Sequence, residues 1–286
     1  MKNIRTPLTI VIPAYNEEQR LPPTLDALLV WHQKSNFDVR IIVVDDGSRD
    51  RTVEIVKDYA ARNANIKLVC EPHVGYMNAI ISGLIKAETD LRVTIEADLP
   101  VHPEILDKFA RDIQNYDVVI GSRLSSGSEV EGKSDLRKII SSFYSLLFKI
   151  LFRCNFNDPQ IGFKIYRGHA LSHILPQLRL PDDGLKSSEF MIKAYGFGYS
   201  ILEIPVKYKH DPDSRLVPQG KTLVKVLESS VALLSLWVQT YAESRKNLYR
   251  VNPVRGGFLL CLIWPLLKSR IESQTKSTSA VRANGG

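Results

Sequence analysis

The chain has 286 residues, 44% of them apolar and 24% charged, and a net charge of +7. That apolar content supports one large core or two modest ones and excludes a disordered or low-complexity chain. The three cysteines, Cys70, Cys154 and Cys261, are far apart. They form neither a disulfide framework nor a metal-ligand spacing, which points to a reducing, cytosolic setting. Met1 to Arg5 lead directly into an apolar run, and no signal peptide is expected.

The first half alternates short Val/Ile-rich runs with helical patterns. Strands are expected at Leu8 to Ala14, Arg40 to Val44, Lys67 to Cys70, Leu91 to Ile95 and Asp117 to Gly121. Helices are expected at about Leu21 to Gln33, Arg51 to Arg62, Tyr76 to Ala87 and Pro103 to Gln114. This order predicts an α/β fold, a mainly parallel sheet covered on both faces. The Gly/Ser-rich stretch from Ser125 to Lys133 is expected as a mobile loop over the site. A helix of mixed apolar and basic character follows from Asp135 to Cys154, then strands at Gly162 to Tyr166 and Tyr199 to Tyr208.

Thr222 to Tyr241 is helical by pattern, with an apolar row of Leu223, Leu227, Val231, Leu234 and Val238 widened by Leu233, Leu236 and Trp237. Such a row suits either a helix docked on its own domain or an interfacial one. From Tyr241 to Gly286 eight Lys/Arg face two acids, a local balance of +6 out of the total of +7. These basic residues flank Gly257 to Leu267, an apolar stretch holding Trp264 and too short to span a bilayer. That combination favours a membrane surface over nucleic acid. The tail after Glu272 is polar and expected to be disordered.

Two acidic pairs close strand-like runs: Asp45-Asp46 after Val43-Val44, and Glu96-Ala97-Asp98 after Thr94-Ile95. In open α/β sheets, ligands bind beyond the carboxyl ends of the strands. Four carboxylates at one sheet edge repel one another unless a cation joins them. A hard divalent ion carrying a phosphorylated ligand fits that need. For the first pair, capping of the next helix by Asp46 and Asp50 is the competing explanation. Tyr15 can stack on a nucleobase, and Pro13 fixes the loop backbone. Glu17 and Asp46 can accept hydrogen bonds from base or ribose, although Glu17 also suits a helix N-terminus.

Taken together, these motifs resemble the inverting GT-A glycosyltransferases, and among them the polyprenyl-phosphate (dolichol-phosphate) mannosyl- and glucosyltransferases. Val11 to Glu18 is similar to that family's opening strand and nucleotide loop. Val44-Asp45-Asp46-Gly47-Ser48 is similar to its base- and ribose-binding turn, and Glu96-Ala97-Asp98-Leu99 to its Asp-x-Asp metal motif. Gly121-Ser122-Arg123 and Arg137 to Ser141 resemble basic positions near the acceptor phosphate. Asp158 to Lys164 resembles an acceptor-side motif, and Ser214-Arg215-Leu216 an element that closes the site.

The resemblance implies a Rossmann-like GT-A catalytic domain over 1–220; the charge and apolar pattern beyond it predicts a membrane-associating helical region over 221–271 and a disordered tail over 272–286. It implies transfer of one sugar from a GDP- or UDP-linked donor to a polyprenyl phosphate at the cytoplasmic face of a membrane, with Mg²⁺ or Mn²⁺ and without nucleic acid. Pro13, Tyr15, Glu17, Asp45, Asp46, Glu96, Ala97 and Asp98 would hold the nucleotide-sugar, with Asp98 and Glu96 on the metal. Arg123, Arg137, Ser214 and Arg215 would hold the acceptor phosphate, the arginines acting on phosphate rather than on the fold. Asp98, Arg123 and Asp158 would serve catalysis, Asp158 being the base candidate or else a turn residue before Pro159. An acceptor hydroxyl, on a lipid-linked saccharide or a soluble molecule, would need a true base, Asp158 or Glu189. A binding protein without turnover is the further alternative. Three departures stand out: Glu96 where the family has Asp, Pro100 where it often has a polar group, and bulky Gly75-Tyr76-Met77-Asn78 where it has small residues.

Overall fold

The computed structural model describes residues 5–132, 135–180, 185–209, 222–244 and 249. The expected alternation is present: β1 Thr6–Ala14, α1 Leu21–Lys34, β2 Phe37–Asp45, α2 Thr52–Arg62, β3 Ile66–Cys70, α3 Tyr76–Lys86, β4 Leu91–Thr94, α4 Ile105–Asp112 and β5 Val118–Ser122. The second half continues with β6 Glu129–Glu131, α5 Asp135–Phe152, β7 Lys164–Arg167, α6 Gly168–Ile174, α7 Lys186–Gly196, β8 Ile201–Pro205, β9 Lys207–Lys209 and α8 Thr222–Ser244.

Seven strands form one sheet in the order β3-β2-β1-β4-β7-β5-β8. All pairings are parallel except those of β7, which runs antiparallel between β4 and β5. Strand order reverses at β1, which pairs with β2 on one side and β4 on the other. A crevice at such a switch point is where ligands bind in this class of fold. Pro13 sits in a central strand because its missing N–H lies beyond the last β1–β4 pair, Val11 with Thr94. The apolar runs are buried as a parallel sheet demands, with Leu8, Ile10, Ile12, Ile41 and Val43 fully enclosed. α3 crosses β1 and β2 closely at Gly83, where a methyl group would run into Val11 and stand 2.9 Å from Val44 Cγ2.

One expectation needs correction, and one left open is partly answered. The Gly/Ser-rich stretch is not wholly loop. Glu129, Val130 and Glu131 pair in parallel with Lys207, Tyr208 and Lys209 in a second, two-stranded sheet. Val130 packs on the core between two exposed glutamates, a period-2 pattern too short to stand out among the Gly/Ser residues. On α8, Leu233, Leu236, Trp237 and Val238 are buried, Val231 and Leu234 are half-buried against the core, and the helix packs along α5. Leu223 and Leu227 have side chains outside the described set, and the 257–267 stretch lies outside the described residues.

Candidate active site

The loops after β1 and β2 are laced together at the sheet's carboxyl edge. Asn16 takes a left-handed turn (φ 55°), which asparagine tolerates. Its N–H donates to Ser48 Oγ (2.9 Å) and its side-chain oxygen accepts the Arg49 N–H (2.7 Å). Glu17 N–H donates to Thr52 Oγ1 (2.8 Å) and Glu18 N–H to Asp50 Oδ2 (3.1 Å). The Glu17 carboxylate takes both prongs of Arg20 at 2.6 Å. α1 has no acid in its first turn, so Glu17 is an ion-pair partner before the helix. Tyr15 lies against His73, with ring centroids 4.4 Å apart and 31° between planes.

The first acidic pair is engaged mainly by backbone N–H groups, with His73 Nδ1 also 3.3 Å from Asp46 Oδ2. Asp45 accepts the Gly47 and Ser48 N–H groups at 3.2 Å, closing a turn on itself. Asp46 accepts the Val74 N–H (2.5 Å) and the Gly75 N–H (3.1 Å), pinning the entry to α3. Both side chains are buried. The helix-start role falls instead to Asp50, which accepts the Thr52 N–H at 3.0 Å where α2 begins.

The second pair is different. Glu96 and Asp98 follow β4, both half-buried. Thr24 Oγ1 on α1 donates to the Ala97 carbonyl (2.6 Å), and Leu99, left-handed at φ 44°, returns its N–H to the Glu96 carbonyl (3.1 Å). The Lys209 N–H reaches the Pro100 carbonyl (2.9 Å), tying β9 to this turn. Glu96 rests on Gly162, where a methyl group would stand 2.7 Å from Glu96 Cγ and 2.8 Å from the Tyr76 hydroxyl. The Tyr208 hydroxyl donates to Glu96 Oε2 (3.2 Å). Burial pushes the Glu96 carboxyl up to about 7; Arg123 opposes that rise and Asp98 adds to it. Burial and Glu96 likewise raise the Tyr76 hydroxyl well above its ordinary value.

Beside this pair, Arg123 grips Asp158 with a two-pronged ion pair, Nε–Oδ2 and Nη2–Oδ1 both 2.8 Å, and its N–H adds a third bond at 3.0 Å. Its guanidinium also lies over the Tyr208 ring, 5.2 Å from the centroid. Although burial works against it, Arg123 holds the Asp158 carboxyl below the usual range. Glu203 on β8 supports the turn by accepting the Asn157 and Asp158 N–H groups at 2.8 and 2.9 Å. Lys164 is buried, donates to the Ile161 carbonyl and to Ser187 Oγ (2.9 Å), and is pulled down to about 8 by burial.

Pro13, Tyr15, Glu17, Asp45, Asp46, Glu96, Ala97, Asp98, Arg123 and Asp158 therefore all lie on loops or strand ends at one edge of the sheet. Arg137 is on α5 with its side chain outside the described set, and Ser214 and Arg215 lie outside the described residues. Glu189 is elsewhere engaged: it accepts the Arg179 and Leu180 N–H groups (2.7 and 2.9 Å) and faces Lys193. Sequence reasoning missed Tyr208, His73, Glu203 and the buried Lys186, which donates to Asn78 Oδ1 at 2.5 Å. None of these four carried a sequence signal; Asn78, the acceptor of Lys186, did, as part of the bulky segment that opens α3.

The profile described as glycosyl transferase family 2 matches residues 9–175. Over 246 residues the chain is 31% identical to dolichyl-phosphate beta-glucosyltransferase ALG5D of Trichomonas vaginalis, covering 80% of this chain and 75% of that protein. It is 28% identical over 225 residues to ALG5C of the same organism, covering 74% of this chain and 66% of the relative, just under two thirds of its length. Among solved structures, Mycobacterium tuberculosis glucosyl-3-phosphoglycerate synthase in complex with Mn²⁺, UDP-glucose and phosphoglyceric acid superposes with a TM-score of 0.56 at 17% identity, covering 83% of this chain and 80% of that one. The two acidic pairs, their place at the switch-point edge of the sheet and the span of these matches lead to one assignment: the chain belongs to glycosyl transferase family 2.

Proposed function

We propose that this protein transfers a single glucose or other hexose from a nucleotide-sugar to a dolichyl-type polyprenyl phosphate at the cytoplasmic face of a membrane, with residues 1–220 as the catalytic domain. The observation that carries the reading is the Glu96/Asp98 pair at the switch-point edge of the sheet with a half-buried, phosphate-type cation, Arg123, beside it. The names of the curated relatives support the acceptor, and the complex of the mycobacterial synthase supports a UDP-linked donor.

Reaction at the sugar's anomeric carbon forms a bond to an acceptor phosphate oxygen and breaks the bond to the diphosphate, which leaves with the electron pair. A phosphate monoester has a second pKa near 6, as phosphorylated side chains do, so its oxygen is a competent nucleophile at neutral pH without a base. That suits Asp158, which is engaged by Arg123 and held ionised rather than poised to take a proton. Asp158 then acts as the group that orients Arg123 toward incoming phosphate. Tyr15 and His73 offer an aromatic platform for the base, and the Asp45 and Asp46 turns hold that platform in shape.

A divalent cation fits the donor set. Glu96 and Asp98 supply carboxylate oxygens, which hard cations prefer. Among the described residues no group of three or more His, Cys, Asp or Glu converges, so diphosphate oxygens would complete the shell. Such an ion would stabilise charge on the leaving diphosphate. The test is a thermal-shift series with UDP-glucose and GDP-mannose, with and without Mn²⁺, followed by transfer to dolichyl phosphate in detergent. Stabilisation by one nucleotide-sugar only with the metal, and a radiolabelled lipid product, is expected. Hydrolysis or transfer to a soluble hydroxyl, with no lipid product, overturns the acceptor.

A further inference from the structure

α5 carries an apolar stripe that is exposed among the described residues. Ile139, Phe143, Leu146 and Ile150 are 66, 52, 57 and 62% exposed. They are four of the seven large hydrophobic side chains exposed among the described residues, so the patch is local rather than a general surface property. Their spacing of four, three and four residues puts them within about 60° of arc on a helix of 3.6 residues per turn. The opposite face of the same helix is already satisfied. Ser145, Phe148, Leu151 and Phe152 are buried, and Tyr144 is hydrogen-bonded to Ser188 (3.0 Å) and Gln160 (3.1 Å). A helix that only closes a core needs one apolar face; this one has two.

The charge pattern selects the occupant. No acid follows Asp135 in α5, and Lys138 and Lys149 lie about a quarter turn to one side of the stripe, with exposed Arg153 just past its end. An apolar stripe with a basic margin matches the boundary of an anionic lipid leaflet: side chains enter the acyl region and the cations meet the headgroups. α8 does not serve this purpose in its described part, because Leu233, Leu236 and Trp237 face inward.

We infer that the outer face of α5 rests on an anionic phospholipid surface and sets the crevice at the height of lipid headgroups. The inference rests on the membrane-acceptor reading above and gives it a specific docking face. The inner face of α5 reaches the site directly, through the Tyr144 contact to Gln160 in the turn after Asp158.

The test uses the full chain and vesicles that contain no polyprenyl phosphate, either pure phosphatidylcholine or phosphatidylcholine with phosphatidylglycerol, at low and high salt. Wild-type protein is expected to co-sediment with the anionic vesicles and to be partly released by salt. Leu146→Glu with Ile150→Glu is expected to weaken that binding by about tenfold or more. Thermal stability and nucleotide-sugar affinity should be unchanged, since the inner face is untouched. Phe143→Gln, which adds no charge, should give a smaller loss in the same direction. Binding of the double variant equal to wild type overturns the inference. So does a wild-type protein that ignores anionic vesicles but dimerises through this face, with the variant monomeric. Vesicle binding through α5 without transfer to polyprenyl phosphate leaves the docking face standing and sinks the proposed reaction. Transfer in detergent without vesicle binding does the reverse.

Discussion

The strand ends of β2 and β4 carry the same kind of residues and use them in opposite ways. At β2, Asp45 and Asp46 spend their oxygens on backbone N–H groups of Gly47, Ser48, Val74 and Gly75. At β4, Glu96 takes a tyrosine hydroxyl, sits near Arg123 and Asp98, and is pushed up to about 7 by burial. Carboxylates satisfied by the backbone build loops. Carboxylates surrounded by other side chains keep capacity for a ligand, at the cost of a perturbed protonation equilibrium. The contrast separates a shape-holding half of the crevice from a charge-handling half.

The sharpest way to break that division is Asp98→Asn. It should lower sugar transfer by about 100-fold or more, as loss of a preorganised charge at a reacting group does, with little change in melting temperature. Transfer within a few-fold of wild type would remove Asp98 from the charge-handling half. Next comes Asp158→Asn, which leaves Arg123 buried without its counter-ion. Breaking a buried pair in this way costs roughly 3–5 kcal/mol, readable in urea unfolding. Arg123→Lys should also lose stability, because an ammonium cannot reproduce the two 2.8 Å prongs. Arg123 was expected from sequence to act on phosphate and not on the fold; the Asp158 pair adds a task in the fold to that proposed one.

Asp46→Ala probes the other half. It strips the Val74 and Gly75 N–H groups of a buried acceptor, worth about 1–3 kcal/mol. Nucleotide-sugar affinity should fall through the displaced His73 platform, while turnover of bound donor is largely kept. An equal fall in turnover would erase the distinction between the halves. The smallest effect concerns Lys164, whose ammonium is pulled down from 10.5 to about 8 by burial. A folded-state value below the unfolded one means that its contribution to stability is full above 10.5 and is lost as pH falls toward 8. The wild-type minus Lys164→Met difference in unfolding free energy should therefore grow between those limits. A flat difference would show that the burial of Lys164 carries no proton linkage.

Nearly all of the first-half architecture was legible in the sequence. The runs ending at Ala14, Asp45, Cys70 and Thr94 announce buried parallel strands, because period and composition are local properties that survive into the fold. β6, α6 and α7 were not legible. Val130 is a single apolar residue between two glutamates, and α7 is buried along both its apolar and its polar positions, so neither shows a clean period.

The same boundary runs through the site. Glu96 and Asp98 could be picked from residue type and from their position after a strand, and Arg123 and Asp158 from the family resemblance. What each oxygen and guanidinium touches could not, since Asp46 meets Val74 and Arg123 meets Asp158 only when β-strand order brings distant loops to one edge. The chain by itself determined which elements form, which residues stand at strand ends and which family they signal. Tertiary structure alone decided that β7 inserts antiparallel between β4 and β5, and that Asp45 and Asp46 meet backbone N–H groups while Glu96 meets the Tyr208 hydroxyl. It also decided that the inward-facing row on α8 leaves the apolar stripe on α5 exposed among the described residues. Hydrophobic periodicity says that a face must be buried; only packing says against what.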